Sequence, residues 1–176
     1  MKVVILAGGL GTRLSEETEI KPKPMVEIGE RPILWHIMKH YACYGFKEFV
    51  IALGYKGDVI KRYFLESTTL HDSFSVDMGS GKVTIHNRIN DDWIVHLVDT
   101  GLDSSTGGRI ARVRHHLGNE TFMLTYGDGV ANVNLDSLLA LHKKHNRIVT
   151  LTAVRPPARF GGLIFDGDLI AQFTNH

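Results

Sequence analysis

The chain has one cysteine, Cys43, which excludes an internal disulfide and any zinc site built on cysteines. It has no surplus of charge of either sign. Twenty Lys and Arg stand against 19 Asp and Glu, a formal net charge of +1. Such a balance lacks the broad basic footprint of a nucleic-acid binder, so any polyanion site must be local. No apolar run reaches membrane-spanning length, and the N-terminus enters a strand pattern without a signal-peptide pattern, so no membrane partner is expected and the expected location is cytoplasmic. Internal repeats, low-complexity stretches and linkers are missing as well. The 176 residues fit one domain, residues 1–176, and a hydrophobic content of 43% with 22% charged residues is ordinary for a globular chain with its own core.

The first stretch present is also the most informative. Lys2-Val3-Val4-Ile5-Leu6-Ala7 reads as a buried strand and runs into Gly8-Gly9-Leu10-Gly11-Thr12-Arg13. A strand that ends in a glycine turn followed by a cation is how α/β proteins hold phosphates: glycines let backbone N–H groups approach the oxygens, and Arg13 adds a planar charged fork. The spelling fits neither of the two common phosphate loops. No Lys-Ser or Lys-Thr follows, as a Walker A loop requires, and Leu14 stands where a dinucleotide fingerprint needs its third glycine. A plain tight turn is the competing reading of the glycines alone. Lys21-Pro22-Lys23-Pro24 then brings two more cations in a segment whose prolines restrict the backbone, with a solvated basic loop as the alternative.

Downstream, Ile33 to about Cys43 carries an apolar stripe at helical spacing, with Pro32 at its start and Gly45 at its stop. His36 and His40 stand one turn apart without a further ligand, which makes them ordinary helix surface or core edge. Phe49–Leu53 predicts a second buried strand, and a helix follows Gly57. This strand and helix order implies right-handed crossovers and a parallel sheet. Residues 67–90 break the rhythm. Phe74–Met78 and Val83–His86 alternate around Gly79-Ser80-Gly81, which predicts an antiparallel hairpin insertion. Trp93–Val98, Phe122–Tyr126 and Ile148–Val154 read as further strands, Leu135 to about Lys144 as a helix, and Leu163–Phe165 with Ile170–Phe173 as a closing hairpin around Asp166-Gly167-Asp168.

Two more loops carry chemistry. Asp99 to Arg109 is dense in hydroxyls and glycines and opens a helix with Arg109, Arg112 and Arg114; this is N-cap chemistry, an anion site, or both. Gly127-Asp128-Gly129 places a carboxylate at the C-terminal end of a buried strand, where open α/β sheets bind ligands, and one Asp holds Mg²⁺ when phosphate oxygens supply the remaining ligands.

These motifs together resemble the sugar-1-phosphate nucleotidyltransferases. The resemblance rests on Gly8-Gly9-Leu10-Gly11-Thr12-Arg13-Leu14 and Lys21-Pro22-Lys23-Pro24. It is sharpened by Leu14–Thr18, Lys21–Gly29, Pro32–Met38, the Asp99–Arg109 loop and Tyr126–Val130 toward a branch that transfers cytidylyl groups. It implies an α/β, Rossmann-like three-layer fold with a mostly parallel central sheet and a small antiparallel insertion. It also implies Mg²⁺ as cofactor, CTP and glucose 1-phosphate as substrates, CDP-glucose and pyrophosphate as products, and a homo-oligomer, with a hexamer as one arrangement.

By the same resemblance, Leu6, Ala7, Gly8, Gly9, Leu10, Gly11 and Thr12 wrap the nucleotide. Arg13 balances the β- and γ-phosphates, and Lys23 lies near the α-phosphate. Thr100, Ser104 and Arg109 contact the nucleotide or its base, Gly127 approaches it by backbone, and Asp128 ligates the metal. The chain departs from the family pattern after Gln172-Phe173, where it reads Thr174-Asn175-His176; the family's second metal-binding Asp and a sugar-binding lysine have no counterpart here. The competing expectations are the same chemistry on another pyrimidine nucleotide or sugar phosphate, and a CTP-binding module without turnover. A nicotinamide dehydrogenase has only the α/β pattern in its favour.

Overall fold

The computed structural model describes residues 1–9, 21–67, 73–86, 91–154 and 162–174. The chain forms two compact units, Met1–Asn132 and Val133–His176.

In the first unit, four parallel strands make the central sheet. They are β1 (Val3–Ala7), β4 (Glu48–Leu53), β7 (Ile94–Asp99) and β8 (Met123–Tyr126), in the spatial order β7-β4-β1-β8. β1 therefore has a partner on both sides, with Ile5 level with Ile51 and with Thr125. This explains its sequence. A strand covered on both faces is apolar at every position, and all five residues of β1 are buried. Each of its valine, isoleucine and leucine side chains contributes about 1.5–3 kcal/mol through burial.

One face of the sheet packs Val4, Leu6, Val50 and Ala52 against Val113 and Leu117. Val113 joins the short helices α3 (Thr106–Arg112) and α4 (Arg114–Leu117), and Leu117 is the last residue of α4. On the other face Phe49 meets Trp93 edge to face, and Trp93 meets Trp35 of α1 (Ile33–Cys43). The result is a helix–sheet–helix sandwich, the expected three layers. α1 buries Leu34, Ile37 and Met38, the expected stripe, and Gly45 past its end takes the left-handed φ of +85° that glycine allows. A short pair, β2 (Glu27–Ile28) and β3 (Arg31–Pro32), leads into α1, and α2 (Gly57–Ser67) follows β4.

The insertion is a two-stranded hairpin, β5 (Ser73–Asp77) and β6 (Lys82–His86), with Phe74 opposite Ile85 and Val76 opposite Val83. In the second unit, α5 (Leu135–His145) is capped by the Asn134 side chain, and β9 (Gly162–Asp166) pairs with β10 (Leu169–Thr174).

Two expectations are corrected. The run Ile148–Val154 adopts no strand, and Ile148 is almost fully exposed. A strand needs a neighbour for its backbone groups and a surface for its side chains, and among the described residues this run pairs with none. The helix expected to carry Arg109, Arg112 and Arg114 together divides at Val113, so Arg114 begins a separate helix. The stiff cationic loop expected at 155–161 lies outside the described residues.

Candidate nucleotide cleft

At the C-terminal ends of β1 and β8 the chain forms a cleft of about 290 Å³. Leu6, Ala7, Gly8 and Gly9 form one wall. The peptide N–H of Gly127 donates to the Leu6 carbonyl at 2.9 Å, which fastens the turn after β8 to β1. Gly127 is close-packed there: a Cβ would stand 3.1 Å from the Leu6 oxygen and 3.2 Å from Cγ of Pro24. The next residue, Asp128, thus enters the cleft from a fixed point.

Lys23 opens a 3₁₀ turn, Lys23–Met25, that Pro22 precedes in an extended conformation. Pro24 and Met25 are buried and anchor it, and Lys23 lines the cleft with Nζ 3.9 Å from Oδ2 of Asp128. At that distance and partial exposure the pair is a loose contact that contributes little to stability. Opposite lie Ser104, Ser105 and Thr106. Ser105 caps α3 by accepting from the Gly108 N–H, and Ser104 donates its hydroxyl proton to the Thr100 carbonyl.

Arg109 lies beneath these walls, 5% exposed. Nη1 donates to the Leu53 carbonyl (3.0 Å), the Thr100 hydroxyl (2.8 Å) and the Gly101 carbonyl (2.8 Å). Nη2 donates to the carbonyls of Gly8 (2.8 Å) and Leu102 (3.0 Å). Burial, then the neighbouring Arg112 charge, pull its pKa below the usual guanidinium value, and Asp99 opposes them. Thr100 is fully buried and donates to the Leu53 carbonyl at 2.6 Å, so its hydroxyl sits behind the cleft and not on its wall. Arg112 donates to the Thr100 carbonyl from the other side.

Of the residues expected at the site, Leu6, Ala7, Gly8, Gly9, Lys23, Ser104, Arg109 and Asp128 line one cleft. Gly127 underlies it and Thr100 backs it. Leu10, Gly11, Thr12 and Arg13 lie outside the described residues. Pro24, Ser105, Thr106 and Tyr126 line the cleft without having been singled out. The period-2 alternation of β8 and the hydroxyl run before Gly107 were the available signals for three of them. A second, wider hollow beside Arg114, His115 and Asn119 contains none of the expected residues.

Chemically, the cleft combines backbone amides after a strand, one ammonium, one carboxylate and a row of hydroxyls. The carboxylate fits a hard cation that takes its other ligands from phosphate and water. No group of three or more His, Cys, Asp or Glu that could bind a metal by itself occurs among the described residues. None of the described helices is long and apolar enough to cross a membrane.

Known proteins resemble this chain over nearly its whole length. The model of the nucleotidyl transferase family matches residues 2–175. A glucose-1-phosphate cytidylyltransferase from Salmonella typhimurium is 52% identical over 174 residues, 98% of this chain and 68% of that protein. A probable glucose-1-phosphate cytidylyltransferase from Bacillus subtilis is 44% identical over 99% of this chain and 68% of its own length. Among solved structures, HddC from Yersinia pseudotuberculosis complexed with GMP-PN superposes with a TM-score of 0.69 over 99% of this chain and 68% of that one; at 22% identity it speaks for the fold alone.

Proposed function

Since this chain belongs to the nucleotidyl transferase family, a family of enzymes that act here on sugar 1-phosphates, we propose that it transfers a cytidylyl group from CTP to glucose 1-phosphate and yields CDP-glucose and pyrophosphate. The observation that supports this reading most directly is the convergence of the Gly8-Gly9 turn, Lys23 and Asp128 in one cleft. The base and the sugar are taken from relatives about half identical to this chain.

In this reading a phosphate oxygen of glucose 1-phosphate attacks the α-phosphorus of CTP. The bond to the bridging oxygen breaks, and pyrophosphate leaves in line. The attacking oxygen is already ionised, so no protein base or nucleophile is needed. What the chain must supply is position and charge. Lys23 holds its ammonium toward the α-phosphate, where negative charge grows in the transition state. Gly8 and Gly9 let the backbone approach the phosphates, with Arg13 as their further cation. Asp128 would hold Mg²⁺, which when bound neutralises phosphate charge. Ser104 and its neighbours line the side available to the nucleoside. A homo-oligomeric assembly belongs to the same reading and is checked by sedimentation.

The test is pyrophosphate release from CTP and glucose 1-phosphate with Mg²⁺, by this chain and by Asp128→Ala, with UTP and dTTP as competitors for the base assignment. Release that needs Asp128 and prefers CTP supports the reading. CTP binding without release supports the alternative, a nucleotide-binding module. A preference for UTP or dTTP reassigns the base.

A further inference from the structure

We propose that Arg109 is a positioning residue, which acts on the bound phosphates through the Gly8–Gly9 peptide and does not read the base. This rests on the cleft being a nucleotide site.

The guanidinium is committed to the protein itself. Its two terminal nitrogens reach five oxygens in three separate segments: the end of β1 (Gly8), the end of β4 (Leu53) and the loop after β7 (Thr100, Gly101, Leu102). Only a planar fork with several fixed donors can span such a set, and a lysine cannot. Two glycines make room for it. A Cβ at Gly8 would stand 2.3 Å from Nη1, and one at Gly54 would stand 2.4 Å from the same atom, both far inside contact distance.

The consequence lies in the geometry of one peptide. The Gly8 carbonyl accepts from Arg109 Nη2 at 2.8 Å and from the Tyr55 N–H at 3.2 Å. A trans peptide is planar, with its C=O and N–H pointing in opposite directions. Once the Gly8 oxygen is held by two donors, the Gly9 N–H is aimed the other way, from a residue on the cleft wall. Glycine itself imposes little on this peptide, so without the guanidinium only the longer bond from Tyr55 would hold its orientation. Arg109 therefore sets in advance the direction of a backbone donor in the turn that is to meet phosphate oxygens, as preorganised dipoles do in other anion sites.

The experiment uses the whole chain and two variants, Arg109→Lys and Gly8→Ala. The first keeps the charge and loses the fork; the second keeps the arginine and displaces it. Each is titrated with Mg²⁺-CTP and with Mg²⁺-tripolyphosphate, which has no base, and backbone amide exchange is followed without ligand. The expected result is a loss of affinity on the order of tenfold, equal for the two ligands, as for one buried hydrogen-bond partner removed. Faster ligand-free exchange at the Tyr55 amide, whose acceptor is the Gly8 carbonyl, should accompany it. Loss for CTP alone, or unchanged exchange at the Tyr55 amide, overturns the proposal. Should the wild-type chain bind neither ligand, the nucleotide reading falls, and the ligand-free exchange still decides the role of Arg109. Should Arg109→Lys fail to fold, Gly8→Ala yields the same two readouts.

Discussion

Nζ of Lys23 lies 3.9 Å from Oδ2 of Asp128, across the mouth of the cleft. The ammonium comes from a proline-bounded 3₁₀ turn and the carboxylate from the turn after β8, so the two are brought together by tertiary structure alone. Each stands where the other's natural ligand would come: a cation for Asp128, a phosphate oxygen for Lys23. Binding of Mg²⁺ and triphosphate should replace one weak contact by two charge-assisted ones.

Removing either member should separate their roles. Lys23→Ala should lower the rate of pyrophosphate release by about 10²–10³-fold, as for the loss of one transition-state donor, while CTP binding changes less. Asp128→Asn should abolish the dependence of CTP affinity on Mg²⁺ concentration. Isothermal titration with and without Mg²⁺, beside a turnover assay, checks both outcomes.

The Arg109 seat predicts a pattern of non-additivity. Gly8→Ala should lower the melting temperature in the wild-type background and much less in Arg109→Ala, because the three atoms nearest the added Cβ all belong to Arg109. Gly54→Ala should remain costly in both backgrounds, since its Cβ would also stand 2.7 Å from the Gly8 carbonyl oxygen, which is backbone. Thermal denaturation of the three single and two double variants measures the difference.

Thr100→Val keeps the shape of a fully buried side chain and removes its hydroxyl. Arg109 Nη1 then loses one acceptor, and the Leu53 carbonyl loses a 2.6 Å donor. The expected destabilisation is about 1–3 kcal/mol by urea titration. Nucleotide affinity should fall too, although Thr100 does not line the cleft.

At the N-terminal end of the sheet, acid should weaken the fold in two stages. Burial, then the nearby His115, His96 and Lys2 charges, hold the His116 pKa below its ordinary value of 6.5. The folded state thus binds this proton less readily than the unfolded state does, so stability is intact above 6.5 and falls as pH drops below it. Glu48 follows at lower pH. Burial raises its pKa, but hydrogen bonds from His96 and Lys2 outweigh this and leave it below 4.5. Its contribution is present above 4.5 and is lost as pH falls further. His116→Gln should flatten the first stage of a melting-temperature profile and leave the second.

Much of this fold was legible locally. α1 announced itself by Leu34, Ile37 and Met38 at helical spacing between Pro32 and Gly45, and β1 by an unbroken apolar run. The hairpin around Gly79–Gly81 followed from alternation. The run Ile148–Val154 was misread because its β-branched residues state a preference, whereas a strand exists only with a partner, and partners are not written nearby. The site was legible as a set of types: glycine turn, lysine, aspartate. The seat of Arg109 was not, since its five acceptors are mostly backbone oxygens, and backbone oxygens leave no mark in a sequence.

The strandless run has a meaning outside catalysis. Ile148 to Val154 is seven residues with no charge and no proline, and Ile148, Val149, Leu151 and Val154 all face solvent. Short uncharged stretches of this kind are the segments through which chains stack into cross-β aggregates. Arg147 stands before it, and Arg155-Pro156-Pro157 follow. A cation on each side and two prolines that cannot join a ladder are the gatekeepers such a segment calls for, so replacing these four residues should make the concentrated chain aggregate more readily.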